Sequence, residues 1–139
     1  MTEANRQTAI SEEWSRAESA FAAAQHLQEG GFLLDAVSRL YYSLLFRVKV
    51  LLLTAGLEPK SHESALRLLS LHFVKTGHLG PDASHLFSRL MKYREEADYN
   101  PSYVFTPEDV KRLFEETARL SSRIAELVRH AGFTVSDKT

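Results

Sequence analysis

Residues 33–56 read LLDAVSRLYYSLLFRVKVLLLTAG, and the reading of this stretch decides the fold. Val37, Leu40, Tyr41, Leu44, Val48 and Leu51 recur at steps of three and four and form one apolar stripe. Tyr42, Phe46, Val50 and Leu53 form a second, and only a narrow polar strip of Asp35, Arg39, Ser43 and Arg47 runs between them. The pattern predicts a helix over Leu33–Ala55, stopped by Gly56. A helix apolar on most sides is either the central member of a bundle or partly buried between subunits. Burying one helix completely is difficult for a small bundle, so the pattern predicts a homodimer with Phe46 and Val50 in the contact. The alternative is a monomer in which helices one, three and five cover helix two.

Helical punctuation continues on both sides of this segment. Helix one is predicted over Glu12–Glu29 on Trp14, Ala17, Phe21, Ala24 and Leu27, with Gly30-Gly31 as its stop. Ser61 is placed to cap helix three, predicted from His62 to Thr76 and closed by Gly77. Helix four opens at Gly80-Pro81 and ends near Asp98 or Tyr99, because Asn100 precedes Pro101 and is pushed away from the helical region. Thr106-Pro107-Glu108-Asp109 is the clearest start signal: a capping Thr, a first-turn Pro and two acids facing the helix dipole. Helix five follows to Ala131 on Val110, Leu113, Phe114, Thr117, Leu120, Ile124, Leu127 and Val128, leaving a short frayed tail. No stretch reads better as strand. Short connections between long helices force antiparallel neighbours, so the expectation is an all-α, up-and-down bundle of four to five helices. It forms a single domain over 1–139, with its core at about 12–131.

The composition fits that picture and narrows the function. The chain has 139 residues, 44% hydrophobic and 25% charged, enough for a core without staples. Its 17 Lys and Arg balance 18 Asp and Glu, for a net charge of −1. That argues against a protein that coats duplexes by bulk charge, although it permits a local basic groove. With no cysteine, disulfide scaffolds, thiolate zinc sites, iron–sulfur clusters and cysteine nucleophiles are excluded. The first 20 residues are polar, without the apolar core of a signal peptide, and no segment reaches the roughly 20 apolar residues of a membrane span. A cytoplasmic protein with no membrane association is expected.

Most familiar chemistry is missing. There is no phosphate loop, dinucleotide fingerprint, nucleophile elbow or His-Glu-x-x-His. The Glu-x-x-His pair of di-iron bundles does not occur, and the six His residues never fall at the close one-face spacing of a helical metal pair; His78 and His85 are seven apart, but His78 precedes helix four. No metal and no cofactor are expected. One constellation stands out on helix four, whose apolar stripe is Ala83, Leu86, Phe87, Leu90 and Ala97. Arg94 falls in the middle of it. A guanidinium aimed into a bundle must be paired or must open onto a polar cleft. Asp98 is the nearest partner, one turn on, and Tyr99 adds a second polar group at the helix end. A register-fixing ion pair and a functional cleft are both open on the residues alone.

Several landmarks in order give a more specific reading: Ala36–Tyr42 (AVSRLYY), Pro59-Lys60-Ser61-His62, Phe73–Gly77 (FVKTG), Arg94–Tyr99 (REEADY) and Phe105–Asp109 (FTPED). With these the chain resembles the HEPN domain family, in its small stand-alone prokaryotic form, from Trp14 to about Val128. The resemblance implies a helical bundle, commonly a homodimer with a cleft at its interface. It also implies kinship with metal-independent RNases, often toxins paired with a minimal nucleotidyltransferase antitoxin. Their active site is an Arg followed after four to six residues by a His. Arg94 matches the Arg, but Tyr99, Asn100 and Pro101 occupy the positions open to the His. In one toxin group a Tyr two past that His carries AMP; the corresponding residue here is Pro101, so Tyr99 does not inherit that role.

The departure has a chemical consequence. Metal-independent RNA cleavage needs a base for the 2′-hydroxyl and charge stabilisation for the transition state. Arg94 supplies the second; Tyr99, with a phenol pKa near 10, is a poor base. His62 substitutes only if the start of helix three meets the end of helix four, and otherwise serves to close its own helix. Tyr41 and Tyr42 read as packing within helix two, and Lys60 as a loop charge that at most touches an anion. The favoured expectation is a HEPN-like dimer with a degenerate RNase motif. It binds nucleotide, RNA or a nucleotidyltransferase partner through a cleft lined by Arg94, Asp98, Tyr99 and Lys60. The alternative is a metal-independent endoribonuclease toxin using Arg94 with Tyr99 or His62.

Overall fold

The computed structural model describes residues 2–136. Five helices follow one another: α1 (Glu3–Glu29), α2 (Leu33–Thr54), α3 (His62–Leu69), α4 (Pro81–Tyr99) and α5 (Pro107–His130). No strand occurs among the described residues, so the fold is the expected all-α bundle. The corner between α1 and α2 turns on Gly31, whose φ of 82° suits a residue without a Cβ. Start signals read from sequence act as caps: Thr106 Oγ1 accepts from the Asp109 N–H at 3.1 Å, and Ser61 and Ser64 form a reciprocal capping box.

α2 is the central member and touches each of the other four helices. Leu40, Tyr41, Leu44, Val48 and Leu52 along it are fully buried. The chain therefore covers most of its own second helix. Val50 is enclosed within the subunit and has no surface to offer a partner, contrary to its expected place in a dimer contact. Tyr42, Phe46 and Leu53 remain half-buried on the outer face.

Two boundaries differ from expectation. α1 begins at Glu3 because Thr2 Oγ1 caps it from the Asn5 N–H at 3.1 Å, and its first turns are polar enough to hide from an apolar pattern. Those turns hold the segment after α5: Gln7 Nε2 donates to the Thr134 carbonyl at 3.0 Å, and the Thr134 N–H donates back to Gln7 Oε1 at 2.9 Å. Phe133 packs on the core, so this part of the tail is anchored up to Ser136, which meets Glu18 at 2.6 Å. α3 stops at Leu69, and a π-helical turn over Ser70–Val74 replaces its last predicted turns. The Ser70 and Ser84 hydroxyls, 2.7 Å apart, tie that turn to α4.

The polar strip of α2 is not a solvated seam. Arg39 lies outside, but Ser43 and Arg47 are fully buried. Ser43 donates to the Leu40 carbonyl at 2.6 Å. Arg47 lies over the Trp14 ring at 4.4 Å, and none of its three nitrogens has an acceptor among the described residues. Burial drives its pKa down to about 10, only partly opposed by the field of Glu18. A ring contact returns up to about 2 kcal/mol, less than a buried, unaccepted charge costs. Arg47→Met is therefore expected to stabilise the protein by about 1–4 kcal/mol, seen as a higher urea midpoint at unchanged slope. A lower midpoint would show that the cation is needed where it sits.

Candidate functional site

Three helices converge on one pair of tyrosines. On α4 the apolar face formed by Ala83, Leu86, Phe87 and Leu90 packs inward, and Phe87 stacks on Tyr41 with centroids 5.8 Å apart. Two helical turns beyond Phe87, on the same face, comes Arg94. Its guanidinium carbon lies 5.5 Å from the centroid of Tyr41 and 5.9 Å from that of Tyr42. The capping box at the start of α3 fixes His62 in the first turn, where its ring meets Tyr41 at 5.5 Å and Tyr42 at 6.1 Å. Thus Arg94 and His62, 32 positions apart in the chain, share the same two rings.

Arg94 is held by rings more than by a carboxylate. Its single contact with Asp98 is long, 3.5 Å from Nη1 to Oδ2, and the two side chains are 13% and 33% exposed. Its Nε has no acceptor among the described residues. This is not the closed, bidentate, fully buried pair that a purely structural role would use. Burial pulls the Arg94 pKa down, but Tyr42 and Asp98 together outweigh it, so the net shift is upward and the group stays cationic. Beside it opens a groove of about 540 Å³, bordered by Arg94, Glu95, Glu96, Tyr99 and Asn100.

Burial, reinforced by the positive charge of Arg94, lowers the pKa of His62. The imidazole is therefore neutral at neutral pH and has a free lone pair to take a proton. Tyr41 is the opposite case. It is fully enclosed, its hydroxyl has no partner among the described residues, and burial pushes its pKa up, outweighing Arg94. It is a platform, not an acid or base.

The other expected residues separate. Tyr99 is 78% exposed and shares only the rim of the groove with Arg94. Lys60 is exposed, and its ammonium forms no ion pair among the described residues; its backbone N–H serves the Ser64 hydroxyl at 2.9 Å. Tyr41 and Tyr42, read from sequence as packing, are the floor of the site. The available signal was their adjacency, one ring on each stripe of α2. Among the described residues no three His, Asp or Glu side chains are grouped to hold a metal, and no helix is long and apolar enough to cross a membrane.

The HEPN domain model matches residues 11–127. The chain belongs to the HEPN domain family. Among its relatives is a Methanocaldococcus jannaschii protein described as a candidate toxin, 33% identical over 101 residues, covering 73% of this chain and 69% of the relative. A second candidate toxin of that organism is 30% identical over 113 residues, 81% of this chain and 84% of its own. A Thermotoga maritima protein of the UPF0332 group is 30% identical over 125 residues, 89% of this chain and 95% of the relative. The resemblance carried by the Arg94–Tyr99 and Phe105–Asp109 runs is thereby borne out. In this HEPN chain the residues following Arg94 at the motif spacing remain Tyr99, Asn100 and Pro101, while a histidine from another helix meets the rings beneath Arg94.

The lowered pKa of His62 sets a pH dependence. The folded chain binds that proton less readily than the unfolded chain, so the stability concerned is complete above about pH 6.5. It is lost as pH falls through the folded-state value. Melting temperatures at about pH 7.5 and 5.5 should therefore drop more for wild type than for His62→Gln. The imidazole pKa read by NMR should lie below about 6.5 and move up in Arg94→Ala. A wild-type value at or above that reference would contradict the geometry.

Proposed function

We propose that this HEPN protein is a homodimer that binds a phosphate-bearing ligand, a nucleotide or RNA, in a cleft lined by Arg94. The observation that carries this reading is the guanidinium itself. It rests on two aromatic faces, touches one carboxylate at 3.5 Å, keeps Nε unsatisfied and borders an open groove. The buried Nε leaves the two terminal guanidinium nitrogens to meet the oxygens of a phosphate. Tyr99 on the rim adds a hydroxyl, Asn100 is engaged with Glu96, and the Glu95 and Glu96 carboxylates on the same groove make Arg94 the group that has to hold the anion. A nucleotidyltransferase partner, implied by the family resemblance, would engage the same cleft and compete with the ligand.

A second reading is favoured by one specific observation, the ring contact that brings His62 to the tyrosines beneath Arg94. It is a metal-independent endoribonuclease, in keeping with the toxin descriptions of the two archaeal relatives. In that chemistry neutral His62 takes the 2′-hydroxyl proton, the oxygen attacks phosphorus, and the 5′-oxygen leaves with a proton from water. Arg94 bears the extra negative charge of the transition state. Tyr99 takes no proton at neutral pH and stays a rim contact.

Arg94→Ala is expected to change stability by no more than about 2 kcal/mol, the scale of a ring-held cation with one long carboxylate contact. The same change should weaken binding of a labelled oligoribonucleotide about tenfold, a loss of about 1.4 kcal/mol, and Arg94→Lys should restore only part of it. A large stability loss with unchanged binding would identify a structural pair instead. With mixed RNA and a chelator, cleavage that disappears in both Arg94→Ala and His62→Ala would establish the second reading. Sedimentation at micromolar concentration should give twice the 15.7 kDa chain mass; a monomer would remove the dimer from the account.

A further inference from the structure

The outer face of α2 does not end at Tyr42. Arg39, Tyr42, Phe46 and Lys49 follow at steps of three and four, so they share one side of the helix. The rings of Tyr42 and Phe46 are 6.1 Å apart. Each ring carries its own guanidinium: Arg39 lies 4.8 Å from the Tyr42 centroid, and Arg16 from α1 lies 4.4 Å from that of Phe46. Arg94 also approaches Tyr42, at 5.9 Å from its centroid. Between α1 and α2 this face sinks into an opening of about 340 Å³, where Ser19 and Ala23 leave the α1 wall low.

The charge on this strip is barely compensated. Arg39 is exposed and makes no ion pair among the described residues. Arg16, with a 62% exposed side chain, has only a 3.4 Å contact with Glu13. A chain of net charge −1 thus gathers two ring-borne guanidiniums and Lys49 along one face, with half-buried rings between them and Arg94 next to the Tyr42 end.

We infer that the Arg16–Phe46–Tyr42–Arg39 strip is a track for single-stranded nucleic acid that leads to Arg94, a proposal that rests on the phosphate-binding reading of that residue. Alternating aromatic faces and cations are what an unpaired strand needs, since bases stack on rings and phosphates meet arginines. A duplex keeps its bases stacked on each other and offers nothing to Phe46. A second copy of this chain, expected from sequence to meet Phe46, fits worse here, because a two-fold pairing across the strip sets the cations of one copy against those of the other, so the proposed homodimer pairs through another face.

The test is fluorescence anisotropy with labelled 12-nucleotide oligo(U), oligo(dT) and a 12-base-pair duplex, beside uridine monophosphate as competitor. The probes meet wild type, Arg39→Glu, Phe46→Leu and Arg94→Ala. Arg39→Glu alters an exposed side chain, and Phe46→Leu keeps an apolar group of similar reach. Melting curves establish that each variant folds. Both strip variants should weaken oligo(U) about tenfold, and Arg39→Glu should also flatten the salt dependence. Neither should change the uridine monophosphate constant. Oligo(U) and oligo(dT) binding alike supports a track that ignores the sugar, whereas preference for oligo(U) supports a track that reads the 2′-hydroxyl. Duplex binding as tight as oligo(U), or strip variants that bind oligo(U) like wild type, overturns the track while leaving the Arg94 reading intact. Strip variants that lose oligo(U) while Arg94→Ala changes nothing would instead overturn the Arg94 reading and the claim that the track leads there. If Arg39→Glu or Phe46→Leu shifts the sedimenting mass and leaves oligo(U) binding unchanged, the strip is a subunit contact and the proposal fails.

Discussion

The guanidinium of Arg94 over Tyr41 and Tyr42 is the contact around which the candidate site is organised. It couples α4 to the central helix, and the same two rings couple α3 to it through His62. An arginine on the apolar face of a helix has to be neutralised or turned outward. Here the rings carry the cation without closing it off, and the nearest carboxylate stays at arm's length. The charge then acts on its surroundings: it adds to the burial that lowers the His62 pKa, and the residue borders an open groove while its buried Nε has no acceptor among the described residues.

This arrangement differs from a sequential Arg and His, because the arginine and the imidazole come from different helices. Tyr99, at the end of α4, is largely exposed, and no imidazole follows Arg94 at that end of its helix. The only imidazole touching the tyrosine pair comes from the capped first turn of α3, among the described residues. Binding needs only the cation and its rings, whereas cleavage also needs that imidazole. The two readings therefore differ in one residue rather than in the architecture.

Sequence alone carried the fold far because helix punctuation is local. Thr106, Ser61, Pro81 and the glycines act within one turn of themselves, and apolar periodicity reports burial directly. What it missed was decided by tertiary contacts. α1 starts nine residues before the expected Glu12, because its polar first turns are held by Thr2 and by the segment at Thr134 rather than by an apolar stripe. Arg47 read only as part of a narrow polar strip, yet it is fully buried over the ring of Trp14. Arg94 was legible as an outlier on an apolar face. The roles of Tyr41 and Tyr42 were not, because aromatic residues in a core stripe look the same whether they fill space or support a charge. His62 was visible only as a conditional, since no spacing rule joins residues 62 and 94.

The central claim is that Arg94 faces an anion rather than serving Asp98. The most direct measurement is the NMR resonance of its Nε–H, assigned by its loss in Arg94→Lys and followed against uridine monophosphate and in Asp98→Asn. The account predicts a saturable shift with the nucleotide and little change on removing the carboxylate charge. A resonance that ignores the nucleotide and moves strongly in Asp98→Asn would contradict it.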